Sequence, residues 1–203
     1  MRLPTRLYIR SILPALALTI ALPVSGWTAL PEQLTLAPES RLWVDGKSTI
    51  KDFTCKAGDV TAVIEASPNA VAQVTAGEKG VRTVRLSVPA EKLDCGNGTM
   101  NNHMRKALKL DDNATIDFKL SSYDVSKGAD GSFGTLKGAL TLGGVQKSIS
   151  IAAESKTEGG ALHVTGSYVL KMSDYDLTPP SLMFGRIKVR DEVTVKFDLL
   201  LQS

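Results

Sequence analysis

Thr99-Met-Asn-Asn-His-Met-Arg-Lys-Ala-Leu-Lys-Leu110 is the one stretch of this chain with clear helical periodicity. Met100, His103, Met104, Ala107 and Leu108 recur at spacings of three and four, which draws a single apolar stripe down a short helix. Asn101, Asn102, Arg105, Lys106 and Lys109 take the opposite face. Asn97-Gly98 supplies a turn just before it and Thr99 an N-cap, so the spacing predicts a helix over residues 99–110. A helix this short is marginal by itself in water, and its stripe must lie against something larger. The surrounding sequence reads as strand. The arrangement that follows is a sheet curled into a barrel, with this helix closing one end.

Outward from the helix, the alternation of apolar and polar residues supports that frame. On the N-terminal side, Val84, Leu86 and Val88 share a face, as do Val60, Ala62 and Ile64, and Ser40, Leu42 and Val44. Asp45-Gly46 reads as a turn, and Gly46-Lys-Ser-Thr49 lacks both the leading glycine and the helix that a phosphate loop requires. On the C-terminal side, Ile116, Phe118 and Leu120 alternate with polar residues. Gly143-Gly144 and Gly159-Gly160 mark tight hairpins. Val193, Val195, Phe197, Leu199 and Leu201 alternate to the end of the chain. About eight strands joined mostly by hairpins make an antiparallel barrel or sandwich, and closure is favoured because it pairs the long last strand. Asp174, Tyr175, Pro179 and Pro180 sit in a long connection suited to cover one mouth.

Residues 1–26 read as a cleaved secretory signal. Arg2, Arg6 and Arg10 form a basic start, residues 11–24 are apolar, and Val24-Ser25-Gly26 offers small side chains at a cut site. A membrane anchor is the competing reading, but the run is shorter than the ~20 apolar residues that span a bilayer, and Pro14 and Pro23 interrupt it. The protein is therefore expected to be periplasmic or secreted, without a stable membrane anchor. Residues 27–39, with Pro31 and Pro38, read as a loose lead-in, and residues 40–203 as the folded domain. The full chain has 24 Lys and Arg against 21 Asp and Glu, and without the three leader arginines the signs balance. A neutral domain has no electrostatic case for nucleic acid or an anionic membrane as its main partner.

Cys55 and Cys95, in a chain bound for an oxidising compartment, are expected to pair. The competing reading is a nucleophilic Cys95 beside Asp94 and His103, although no thiol-enzyme signature surrounds it. His103 and His163 lie on different elements, so with the cysteines paired no metal site of ordinary ligand number is expected. His163 reads as a solvated surface residue. No catalytic residues are assigned, and the chain is not expected to be an enzyme. The inward-facing apolar set is open to two readings, a solid core and a hollow one. Small residues at Ser40, Ala62, Gly138 and Gly166 make the interior harder to fill, and the helix methionines adapt to variable apolar partners.

Four segments, in this order, resemble the YceI-like family of exported lipid-binding proteins. They are the helix with His103, Met104 and Leu108; Gly138-Ala-Leu-Thr-Leu-Gly-Gly-Val-Gln-Lys147; Leu170-Lys-Met-Ser-Asp-Tyr175 through Pro179; and the closing residues 189–201. The resemblance spans residues 40–201 and implies an all-β fold, an eight-stranded antiparallel lipocalin-like barrel. It implies a long-chain amphiphilic lipid in the interior, a polyisoprenoid, an isoprenoid quinone or a fatty-acid-like molecule, and no other cofactor. By position, the strands before the helix contribute Leu42, Val44, Phe53, Leu86 and Val88 to the ligand's surroundings, and the helix contributes Met100, Met104 and Leu108. Later segments contribute Phe118, Leu140, Tyr168, Phe184 and Phe197, with Tyr168 and Ser40 as polar groups. The pair Cys55 and Cys95 falls outside the family pattern. The alternative function is an exported protein-interaction or stress-response module with a solid core and no lipid. The oligomeric state stays open, a homodimer included.

Overall fold

The computed structural model describes residues 31–202, in which the chain forms twelve strands and two helices. Strands β1 (Glu32–Leu36), β2 (Arg41–Ser48), β3 (Asp52–Ala57) and β4 (Thr61–Ala66) precede the short helix α1 (Ala70–Thr75). Strands β5 (Val81–Pro89) and β6 (Leu93–Asp94) lead to α2 (Gly98–Ala107). Then follow β7 (Thr115–Lys127), β8 (Ser132–Leu142), β9 (Val145–Glu158), β10 (Ala161–Lys171), β11 (Ser181–Leu182) and β12 (Ile187–Gln202). The proposed signal over residues 1–26 lies outside the described residues.

Eight strands, in the order β1-β4-β5-β7-β8-β9-β10-β12, make an antiparallel ring, which closes where Leu36 of β1 meets Leu201 of β12. The barrel reading holds over the sandwich. Strand β12 is the seam. One side pairs with β10 along ten residues; the other pairs first with β2, from Val189 opposite Ser48 to Asp198 opposite Arg41, and then with β1. Strand β2 carries β3, and β3 carries β6, so this flap raises the wall at one end. That upper end also bears the β8–β9 turn, where Gly143 and Gly144 have φ of +56° and +81°. The β9–β10 turn at the lower end repeats this with Gly159 and Gly160 at +58° and +86°. Two successive positive φ values are what a two-residue turn needs to match strand twist, and glycine adopts them without a Cβ clash.

Helix α1 plugs the lower end. Ala70 and Val74, one turn apart, are buried with Leu34, Ile64, Ala66, Leu162, Leu199 and Leu201. Reading α2 as the sole helix is thus corrected: six residues of Ala-Val-Ala-Gln-Val-Thr hold helix only because tertiary packing supplies what local propensity does not. Helix α2 itself runs over Gly98–Ala107 rather than 99–110. Its N-cap is Asn97, whose Oδ1 accepts from the amides of Thr99 at 2.9 Å and Met100 at 3.2 Å, so Thr99 lies inside the helix. The end comes early because Lys109 takes a left-handed φ of 54°.

Two further expectations change. Within the supposed lead-in, Glu32–Leu36 is a wall strand, with Leu34 buried, because it closes the gap between β4 and β12. Asp45-Gly46 is not a turn. Both residues lie within β2, and Gly46 sits opposite Phe53, whose ring occupies the space a Cβ would need.

Candidate functional site

The inward faces of the strands do not meet. They surround a cavity of about 510 Å³, within the size range of small-molecule sites. Alternation builds it: on β12, Val193, Val195, Phe197, Leu199 and Leu201 point inward, while Glu192, Thr194, Lys196 and Asp198 alternate with them. The lining includes residues from Val189 to Leu201 of this one strand, so the space is apolar along much of β12.

Leu42 and Val44 of β2, Phe53 of β3, and Leu86 and Val88 of β5 line this cavity. So do Met100, Met104 and Leu108 at the helix, Phe118 of β7, Leu140 of β8, Tyr168 of β10 and Phe197 of β12. Phe184 does not. It is fully exposed on the turn between β11 and β12, a correction whose cause is the backbone: φ of 50° at Met183 and 55° at Phe184 throws both side chains outward. Ser40 also stays out of the lumen. Its hydroxyl accepts from the Leu200 amide at 3.0 Å and donates to the Leu200 carbonyl, securing the strand seam. Sequence reasoning left out Ile50, Met172, Leu177 and Leu182, which line the space from turns and short pieces where alternation gives no signal, and Ile187 at the very start of β12.

Three glycines shape the wall. Gly46 faces the ring of Phe53, Gly138 that of Phe118, and Gly166 that of Phe197. Each ring covers the bare backbone, so these glycines leave no holes, contrary to the expectation for Gly138 and Gly166. Flat rings against the wall keep the centre open. The helix stripe shows the same thing from above. Met100, His103, Met104, Ala107 and Leu108 all line the cavity, yet no residue of α2 is fully buried. A stripe seated on a solid core would be.

Polar groups at the cavity wall largely partner one another. The Ser132 and Ser155 hydroxyls are 2.7 Å apart, and the Tyr123 hydroxyl accepts from the Val81 amide at 3.0 Å. Tyr175, buried in the connection after β10, packs with Leu142, Leu170, Leu177 and Val193. Burial, with Tyr168 and Asp174 nearby, pushes its phenol up to about 12, so it is uncharged at neutral pH.

The upper closure is fastened at three points. Cys55 of β3 is disulfide-bonded to Cys95, two residues ahead of the Asn97 cap, which anchors α2 to the wall and removes the thiol nucleophile reading. Asp94 accepts from the Asn101 side chain and the Gly96 amide, both at 2.9 Å, and these bonds lower its pKa. Asp191 accepts from the hydroxyl and amide of Ser173, which lowers its pKa and pins the connection leading to Pro179 and Pro180. A Cβ on Gly143 would meet Leu177 from that connection, with the Leu108 carbonyl close by, so both halves of the closure rest on the β8–β9 turn. His163 is not freely solvated: its ring lies between Glu158 and Asp198, at 3.1 Å and 2.5 Å, on the outer face. Among the described residues, no cluster of three or more His, Cys, Asp or Glu is placed to hold a metal, and no helix is long and apolar enough to cross a membrane.

The fold and the cavity define a lipocalin-like barrel, a closed antiparallel wall around an apolar space capped by a helix. The chain belongs to the YceI-like family, whose domain model matches residues 36–201. Among solved structures it is similar to BcnA of Burkholderia cenocepacia, at 16% identity and a TM-score of 0.61, over 81% of this chain and 96% of that one. It is also similar to a polyisoprenoid binding domain from Saccharophagus degradans implicated in plant cell wall breakdown (16%, 0.58, 84% and 98%). A third is the YCEI protein of Campylobacter jejuni (18%, 0.54, 77% and 85%). At these identities the likeness shows a shared fold. A comparison with curated proteins gives no match.

Proposed function

We propose that this protein is a carrier or reservoir for a long-chain amphiphilic lipid, either a polyisoprenoid, an isoprenoid quinone or a fatty-acid-like molecule, held inside the barrel. The observation behind this reading is the apolar cavity of about 510 Å³, lined from β12 to α2 by apolar side chains and left unfilled between the buried clusters. Each methylene moved from water into such a space contributes about 0.8 kcal/mol, so a long tail binds firmly without a charged anchor. The Saccharophagus degradans relative, described as polyisoprenoid binding, supports the same chemistry. The open lumen weighs against the solid-core interaction module, and a binding role rather than an enzymatic one fits the family. The leader read in residues 1–26 and the Cys55–Cys95 bond fit an exported, periplasmic or secreted protein.

Gentle purification from the producing cell's own periplasm, followed by native mass spectrometry, should reveal an apolar adduct on the wild-type protein. Met104→Trp should reduce its occupancy. Bare polypeptide throughout, with lipid uptake unaltered by the substitution, refutes the carrier reading.

A further inference from the structure

Elsewhere on the barrel, the exposed apolar side chains Val63, Phe133 and Val169 lie on three different strands and are half to three-fifths exposed, with Phe133 bordering the cavity as well. Scattered residues of that kind are ordinary. The upper rim is different. Ile50, at the β2–β3 turn, is 65% exposed; Met183 and Phe184, at the β11–β12 turn, are 64% and fully exposed. The two turns are tied together through Thr49, whose amide donates to the Lys188 carbonyl at 3.0 Å and whose hydroxyl donates to the Arg186 carbonyl at 3.0 Å. The Lys188 amide donates back to that hydroxyl at 3.2 Å. All three apolar side chains therefore project from one end. Met183 and Phe184 occupy successive left-handed positions that Asn and Gly normally fill, a strained choice for bulky apolar residues.

Basic residues surround this tip. Lys47, Lys51, Arg186, Lys188 and Arg190 are all exposed, and none is in an ion pair among the described residues. The carboxylate in the same turn is Asp52, opposite Lys47, while Asp191 is turned to Ser173. The tip also stands at one place where the cavity reaches solvent, because Ile50 and Lys51 line the lumen and are exposed, with Leu182 and Ile187 beside them. Apolar side chains ringed by lysine and arginine match the chemistry of an anionic bilayer surface, with apolar groups entering the acyl boundary and basic groups meeting headgroups.

We propose that the Ile50–Met183–Phe184 tip docks the barrel mouth onto an anionic lipid bilayer, placing the lumen where an amphiphile crosses between membrane and protein. The proposal extends the carrier reading, but the docking is tested separately from it. The intact protein is sedimented with vesicles of phosphatidylethanolamine and phosphatidylglycerol, and a fluorescent fatty acid is titrated in solution without vesicles. Wild type should bind the vesicles, more weakly as salt rises. Met183→Ser with Phe184→Ser should weaken vesicle binding about tenfold or more, and Lys188→Glu with Arg186→Glu by a similar factor, while fatty-acid uptake in solution stays unchanged. Vesicle binding without fatty-acid uptake would support docking and remove the fatty-acid form of the carrier reading. Uptake without vesicle binding, or equal vesicle binding by the serine variant, overturns docking and leaves the carrier reading standing. A tip-dependent dimer in lipid-free sedimentation, with no vesicle binding, assigns the patch to a second copy and likewise overturns it.

Discussion

Gly166 of β10 lies directly opposite Phe197 of β12, and the phenyl ring rests on the glycine's bare backbone. A Cβ placed there would run into that ring and would also stand 2.8 Å from the Ala152 carbonyl, a backbone atom with no freedom to retreat. Gly166→Ala should therefore push Phe197 off the wall and into the lumen. We expect a loss of about 1–3 kcal/mol in denaturant unfolding, as overpacking usually costs, and weaker uptake of a fluorescent fatty acid. Unchanged stability and uptake would mean the ring has room to move.

Leu140 and Phe184 make a discriminating pair, since one lines the cavity and the other stands in solvent. Leu140→Trp should fill part of the lumen and lower fatty-acid affinity at least about tenfold, the equivalent of ~1.4 kcal/mol or roughly two buried methylenes. Phe184→Trp should leave affinity in solution as it was. Titrations of the two variants side by side check this, and equal affinities would place the ligand elsewhere.

Breaking the Cys55–Cys95 bond releases α2 from β3 as well as freeing a closed loop in the unfolded chain. Cys55→Ser with Cys95→Ser should cost about 2–5 kcal/mol by urea unfolding. Hydrogen exchange should rise first at residues 95–107, because the bond holds the helix end nearest the cap. Uniform loosening of the whole barrel would show that the bond acts on global stability alone.

Acid should loosen the upper closure before the wall. The bonds from Asn101 and Gly96 lower the pKa of Asp94, and those from Ser173 lower that of Asp191. Asp45 is lowered too, chiefly by the Thr54 hydroxyl at 2.6 Å, with Lys196 at 3.0 Å adding to it against the effect of burial. A carboxyl with a lowered folded-state pKa binds its proton more readily once unfolded. Its contribution is therefore complete above the ordinary value near 4 and is lost as pH falls through the lowered value. Amide exchange at Gly96 and Ser173, corrected for intrinsic rates, should be flat from about pH 7 to pH 5 and accelerate towards about pH 3. Asp94→Asn should remove part of that acid sensitivity at the helix. Acceleration beginning near neutrality would point to other groups.

Most of the wall could be read from sequence because its signals are local. Gly143-Gly144 and Gly159-Gly160 announce two-residue turns, and the alternation from Val193 to Leu201 fixes which side chains face inward. The misreadings share a cause, which is that the deciding partner is far away in the chain. Gly46 looks like a turn residue beside Asp45 until Phe53 is placed across from it. Residues 32–36 look loose between Pro31 and Pro38 until Leu201 and Ile64 arrive on either side. Position in the family pattern puts Phe184 in the interior, whereas the left-handed turn that carries it outward has no signature in Met-Phe. The Asn97 cap lies within an Asn-Gly pair that reads as a turn, and the sequence alone points to Thr99, two residues too late.

The meeting of Leu36 with Leu201 also governs how the protein is made. The circle cannot be completed until β12 is available, so everything from β1 through Leu201 must be synthesised first. Contacts this distant in sequence form slowly. Until Leu201 and Gln202 of β12 meet Leu36 and Thr35 of β1, the wall is an open ribbon, and it becomes a container only when that contact forms.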